Sequence, residues 1–496
     1  MLKSRNEFIE MNKQYDMVRK TWNKIEKTDE TLELLGYNSL YKLSISEMMF
    51  IFEAIGASTQ KNFPFGTKED NEIRFEKKMD KSLNIPRLST QLNIPEAAFQ
   101  RFNDNRLTLE ILMPLIIKNS LIYNSISQSS NQNLKNLLNS KHNIGFALCE
   151  PSLKQSSNYI AWNTVAKLSN NFESWIVSGE KNKIIYGNYS HYLLFCRTEA
   201  ELISTSGSGV VGLIIPADQV EVKDDGMDYF GIKYQKIRFR DVQLSRESSE
   251  VIKTQENIFQ FLNIKGCGQL SLSAVILGLL KQLLKNTYAY LINEKIGLSK
   301  CELVQYKLYQ VTSKIYSLES MIYMTAAMFD SFEQGVNLEG ESITVKTLAT
   351  EYGFDVCHEL RNIFGSRFPF SSTAIDLIHF FDSFLDTSLE NRILIGQNAL
   401  HHYRENKLEG KSKSLIKAPI YFIKNQLRYK KLKNNDEILT HDMTKYIHHN
   451  MHIACDWIES CINRLEHSVG LNFDTYRMVC LFAIMVSFHK CFVFLY

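Results

Sequence analysis

A chain of 496 residues is too long for one hydrophobic core, so several domains or subdomains are expected. Apolar residues make up 44% and charged residues 22%, which excludes an intrinsically disordered chain. A net charge of +3 provides no general attraction to nucleic acid. No proline lies between Pro216 and Pro369, which favours long helices there. The nine cysteines are scattered and form no CxxC pair, arguing against both a zinc site and a disulfide framework.

In chain order, residues 1–144 read as an N-terminal helical domain. Ser46–Ile55 and Leu107–Tyr123 are its apolar segments, and Lys61–Lys81 is a charged, exposed one. The first residues mix Lys3, Arg5 and Lys13 with Glu7, Glu10 and Asp16, so no presequence is expected. Over 145–252 short β-rich runs alternate with Gly, Asn, Asp and Ser clusters, the texture of a small β-domain. The runs are Gly145–Leu148, Trp175–Ser178, His191–Cys196, Val210–Ile215 and Tyr234–Phe239. From 257 to 400 the helical period returns. Leu308, Val311, Ile315, Leu318 and Ile322 mark one face of a long helix, and Val345, Leu348, Tyr352 and Val356 mark another. A further helical tail covers 401–496. The predicted class is therefore mainly α with a central β-domain, and the apolar helices read as buried rather than membrane-spanning.

Local motifs add little chemistry. Gly207-Ser-Gly209-Val-Val-Gly212 has the letters of a dinucleotide loop but leads into an apparent strand, so a hairpin loop is expected. His448, His452 and Cys455 share a helical face without an evident fourth ligand, and no metal site is assigned. Lys407–Lys433 carries nine Lys/Arg and one glutamate. Within it Ile416, Ile420, Ile423 and Leu427 form an apolar stripe that fits either a packed helix or one lying on an anionic membrane.

Four strings then carry a family resemblance: Phe146-Ala-Leu-Cys-Glu-Pro151, Phe230–Phe239, Val275–Leu284 and Glu302–Asp330. With the helix–sheet–helix plan they resemble the acyl-CoA dehydrogenase family. The likeness is to its very-long-chain branch, and within that to the member that assembles respiratory complex I. The resemblance implies three parts, a helical domain, a β-domain and a four-helix bundle, followed by the extra helical tail. It also implies FAD as cofactor, a homodimer and a mitochondrial location.

The same resemblance implies that the chemistry is missing. The family's α-proton is removed by a carboxylate, the first residue of a Glu-Gly-Thr-Asn-Glu string. The matching stretch here is Ser388-Leu-Glu-Asn-Arg392, which puts Ser388 at the base position and leaves Glu390 as the fallback. A serine hydroxyl without an activating partner cannot do that work. Relatives that carry the base on an earlier helix place it at Gly268, followed by an arginine, here Gln269.

The flavin contacts are altered as well. Cys149 replaces a threonine, Lys154-Gln155-Ser156 replaces Gly-Ser-Asp, and Lys183-Ile184-Ile185 replaces Trp-Ile-Thr. Glu294 stands where an arginine holds the FAD pyrophosphate. A carboxylate about 4 Å from a phosphate costs on the order of 4 kcal/mol per charge pair at an effective dielectric near 20. FAD binding is therefore expected to be weak or lost.

The expected function is a non-catalytic acyl-CoA dehydrogenase-like protein acting by binding in complex I assembly, held at the inner membrane through 416–433. A divergent FAD-dependent acyl-CoA dehydrogenase acting on long or very long acyl chains is the alternative.

Overall fold

The computed structural model describes residues 43–58, 112–129, 131–139, 143–151, 162–198, 209–229, 232–252, 258–293, 296–331, 338–365, 371–392 and 394–395. Chain contacts divide the protein into two units, residues 15–386 and a second formed by 1–14 with 387–496. The first unit holds every element labelled below.

The N-terminal helices are α1 (Ile45–Ser58), α2 (112–128) and α3 (Gln132–Asn139). The N-terminus of α1 is capped twice. Ser44 and Glu47 form a reciprocal capping box, with the Ser44 amide 2.9 Å from the Glu47 carboxylate. The Asp330 carboxylate accepts the Ile45 amide at 2.7 Å and the Ser46 amide at 3.2 Å. Helix α2 widens to π geometry over Ile117–Tyr123, a form found as short bulges in α-helices.

Eight strands follow: β1 (Ile144–Ala147), β2 (Val165–Leu168), β3 (Ser174–Ile185), β4 (His191–Thr198), β5 (Val210–Pro216), β6 (Glu221–Tyr229), β7 (Ile232–Ser245) and β8 (Glu250–Ile252). They form one mixed sheet in the order β6-β7-β3-β2-β4-β5-β8, with β1 parallel to β4. Both β1 and β2 run parallel to β4, β1 against its first half and β2 against its end. The runs Trp175–Ser178 and Tyr234–Phe239 are parts of the long strands β3 and β7. Their polar stretches, Glu180–Lys183 among them, hid the continuation, and two register shifts interrupt the β3–β7 ladder. Val210–Ile215 is a strand, as the hairpin reading of the glycine loop requires. Trp175, Val177, Leu194, Val211, Leu213 and Phe239 lie in one buried cluster of the sheet.

The bundle consists of α4 (Ile258–Asn293), α5 (Glu302–Ser331), α6 (Glu339–Phe364) and α7 (Ser371–Ser383). Of the expected faces, Leu308, Val311, Ile315, Leu318 and Ile322 on α5 and Val345, Leu348 and Val356 on α6 are buried, while Tyr352 is half-buried. Within α4, Gln260–Ile292 is apolar and long enough to cross a membrane, but 89% of its most apolar window is buried in the fold. It is the central helix of the unit. Helix α1 crosses it backbone to backbone. A Cβ on Gly56 would fall 2.1 Å from the Val275 carbonyl oxygen, and one on Gly278 would fall 1.8 Å from that of Glu53. Beside this crossing Lys281 bridges Glu53 and Glu319, each at 2.6 Å, and the Tyr323 hydroxyl donates to Glu53.

Candidate functional site

The site positions on the sheet side converge after β1. Leu148 ends the strand's apolar run, and Glu150 turns its carboxylate into the fold. One Glu150 oxygen accepts the Asn163 amide at 2.7 Å. The other accepts the Thr164 amide at 3.0 Å and pairs with Lys181 at 3.0 Å. Lys181 is fully buried, donates to the Leu148 carbonyl at 3.1 Å and lies 4.3 Å from the centre of the Trp162 ring. Burial works against ionisation of Glu150, but Lys181 and the two amides outweigh it and hold its pKa below the ordinary value.

Cys149 precedes Glu150, and its carbonyl accepts the Asn182 amide at 2.9 Å. Its thiol is desolvated, which raises its pKa. Lys183, Lys181 and Lys265 act to lower it and Asp386 to raise it, so charges from sheet and bundle meet around this sulfur. The result is a protonated, weakly nucleophilic thiol. Lys183 falls at a register shift in β3 with a left-handed φ of 53°. Its side chain is exposed and its amide donates to Asp225 at 3.1 Å. Ile185 is half-buried and pairs with Tyr234.

The bundle side is built on α4. At Gly268 a Cβ would lie 2.5 Å from Leu121 Cδ2 and 2.8 Å from Leu385 Cδ1. Without displacement of these leucines the position has no room for any side chain, least of all a carboxylate. Gln269 is buried. Its amide nitrogen donates to the Leu385 carbonyl at 3.0 Å, and its amide oxygen has no partner. One turn earlier, buried Lys265 forms an ion pair with buried Asp386. Burial disfavours the Lys265 ammonium, but Asp386 and Glu339 outweigh that and raise its pKa. Burial raises the pKa of Glu339, the first residue of α6; Lys265 opposes the rise and Asp386 adds to it. Lys346, also buried, donates to the backbone carbonyls of Asp382, Phe384, Leu385 and Asp386.

Ser388 and Glu390 belong to the second unit, on a short helix over 388–392. Glu390 accepts the Thr387 amide at 2.8 Å and the Thr387 hydroxyl at 3.1 Å, while Thr387 Oγ1 accepts the Glu390 amide at 3.3 Å. This is a capping box, and it engages the carboxylate in holding the helix end. Ser156, Glu294, His448, His452, Cys455 and segment 416–433 lie outside the described residues. Among the described residues no group of three His, Cys, Asp or Glu side chains could hold a metal ion.

Sequence reasoning missed Lys181, Lys265, Glu339, Lys346 and Asp386. A signal existed for two of them. Lys265 is the only charge between Glu256 and Lys281, and Lys346 the only one between Glu341 and Glu351.

At the described positions the side chains are not those the resemblance would place against FAD. At the described contact positions they present a desolvated thiol, an exposed ammonium and an aliphatic side chain, with the Lys183 amide already bonded to Asp225. None of these is a hydroxyl donor for a flavin edge.

No family model matches the chain. Solved structures do. Butyryl-CoA dehydrogenase from Megasphaera elsdenii aligns at TM-score 0.50 and 16% identity, over 71% of this chain and 98% of its own. The glutaryl-CoA complex of glutaryl-coenzyme A dehydrogenase aligns at 0.51 and 15%, over 72% and 95%. PigA with FAD and proline aligns at 0.51 and 15%, over 71% and 97%. The protein therefore has the acyl-CoA dehydrogenase-like fold, mainly helical around a central mixed sheet.

Proposed function

We propose that this chain is a non-catalytic member of the acyl-CoA dehydrogenase family that acts by binding, most similar to the very-long-chain branch and its complex I assembly member. The observation that carries the reading is the lack of a side chain at Gly268, against which Leu121 and Leu385 pack. It removes one of the two places where the family's base could stand. At the other stands Ser388, a hydroxyl, with the nearby Glu390 engaged in a capping box. Removal of an α-proton needs an ionised carboxylate free to reach the carbon.

The bundle has a surface suited to protein contact. Of the eleven large apolar side chains exposed among the described residues, seven fall within 288–316, including Leu303, Tyr306, Tyr309 and Tyr316 on α5. Lys307 and Lys314 of the same helix pair with Glu359 and Asp355 of α6, leaving this face rich in aromatic groups and poor in free charge. In this reading the face meets a second copy or an assembly partner, and the basic stripe 416–433 meets anionic inner-membrane lipid in the mitochondrion.

The test is the visible absorption spectrum of the purified full chain, with and without added acyl-CoA. The expected outcome is no stoichiometric flavin and no bleaching. Flavin bands that bleach with acyl-CoA overturn the proposal.

A further inference from the structure

Helix α7 ends at Ser383, and the chain then turns through Phe384, Leu385 and Asp386. Leu385 and Asp386 both have left-handed backbones, at φ 56° and 73°. Two consecutive non-glycine residues in that region are strained, and leucine, unlike Asn or Asp, has no side-chain hydrogen bond to compensate. Such a turn persists only where its surroundings impose it.

Three side chains do so. The Lys346 ammonium sits among four backbone carbonyls, 3.3 Å from Asp382 O and 3.2 Å from Leu385 O, with Phe384 O and Asp386 O as the other two. The Gln269 amide donates to Leu385 O at 3.0 Å, and Lys265 pairs with the Asp386 carboxylate. Lys346, Gln269 and Lys265 are all buried. One of these carbonyls, that of Asp382, lies at the negative end of α7, where a cation is favoured. The same turn presses Leu385 onto Gly268.

We infer that Lys346 is a built-in cation for this carbonyl ring, a positioning residue that holds the 384–386 turn closed over α4. The carbonyls form a seat for a small cation, and the ammonium fills it from within the chain. The role is independent of whether the protein binds flavin, because it concerns only the turn and its clamp.

The test uses the full chain and peptide-resolved acetylation of lysines. In the wild type Lys265 is shielded under Asp386 and Lys181 under Glu150 and Trp162. In Lys346→Met the seat loses its charge but keeps its filler, and buried carbonyls left unpaired favour opening of the turn. Lys265 should then be acetylated about ten- to a hundredfold faster while Lys181 stays protected. Unchanged protection of Lys265 overturns the inference, as does equal exposure of Lys181, which would mean general loosening. Lys346→Ala supplies the second measurement. Its thermal midpoint should recover in methylammonium chloride relative to tetramethylammonium chloride of equal ionic strength, since only the smaller ion fits the seat. Equal midpoints in the two salts overturn the cation role.

Discussion

Two regions of the first unit bury lysines, and they do so differently. On the sheet side Lys181 meets Glu150, which is anchored by two amides, and an indole face, within the β-domain. On the bundle side Lys265 and Lys346 hold a turn that contains two left-handed residues, and the charges come from α4, α6 and the end of α7. The sheet side is a compact charge pair satisfied where it stands. The bundle side uses its charges to impose a backbone conformation that the local sequence does not favour. Burial of a charge is common to both, so burial alone does not indicate what a lysine is for.

Substitution separates the two. Asp386→Asn keeps a residue that tolerates the left-handed backbone but leaves Lys265 buried without its counter-ion, which should cost about 3–5 kcal/mol in urea unfolding. Combining it with Lys265→Met should recover most of that loss, since a missing pair costs far less than half a pair. Lys181→Met should cost less, about 2–3 kcal/mol, because Glu150 retains the Asn163 and Thr164 amides. If Lys181→Met proves the more damaging, the contrast between the regions is wrong.

Next is Gly268→Ala, expected to cost about 1–3 kcal/mol by overpacking Leu121 and Leu385. Pairing it with Leu385→Ala should relieve the clash at the turn, and a double-mutant cycle reads that coupling.

The pH dependence should have opposite signs in the two regions. The pKa of Glu150 is lowered in the folded state. Its contribution is complete above the unfolded value near 4.5 and is lost as pH falls through the lower folded value. The pKa of Glu339 is raised in the folded state. The fold therefore binds its proton more tightly than the unfolded chain does, and this group removes stability as pH rises from 4.5 through the folded value. Urea titrations at several pH values should find that Glu150→Gln flattens the acid limb and that Glu339→Gln flattens the opposing slope above it. The smallest effect belongs to the second unit, where Thr387→Ala should weaken the short helix by about 1 kcal/mol through loss of its cap.

Much of the fold was legible because helical and strand periods report burial directly. Leu308, Val311, Ile315, Leu318 and Ile322 were placed on one face by spacing alone, and all five are buried. The long strands were read only in pieces, because polar residues at the shifted registers of β3 break the alternation. The charge network was not legible for a different reason. Lys265 stands out in an uncharged stretch, but its counter-ion is Asp386, more than a hundred residues further on. No glycine marks the left-handed turn at Leu385 and Asp386, so the usual sequence sign of that geometry is missing. Ion pairs between distant segments and strain imposed from outside have no local period to reveal them.

The glycine crossing of α1 and α4 has a mechanical consequence. Where most helices meet through side chains that can repack, Gly56 and Gly278 bring main chain against main chain. A shift of α1 by one residue along α4 would carry a Cβ into a carbonyl oxygen, so the helix cannot slide without first lifting away. The crossing works as a key in a slot: it fixes the register of α1 and resists shear, and it yields only to separation.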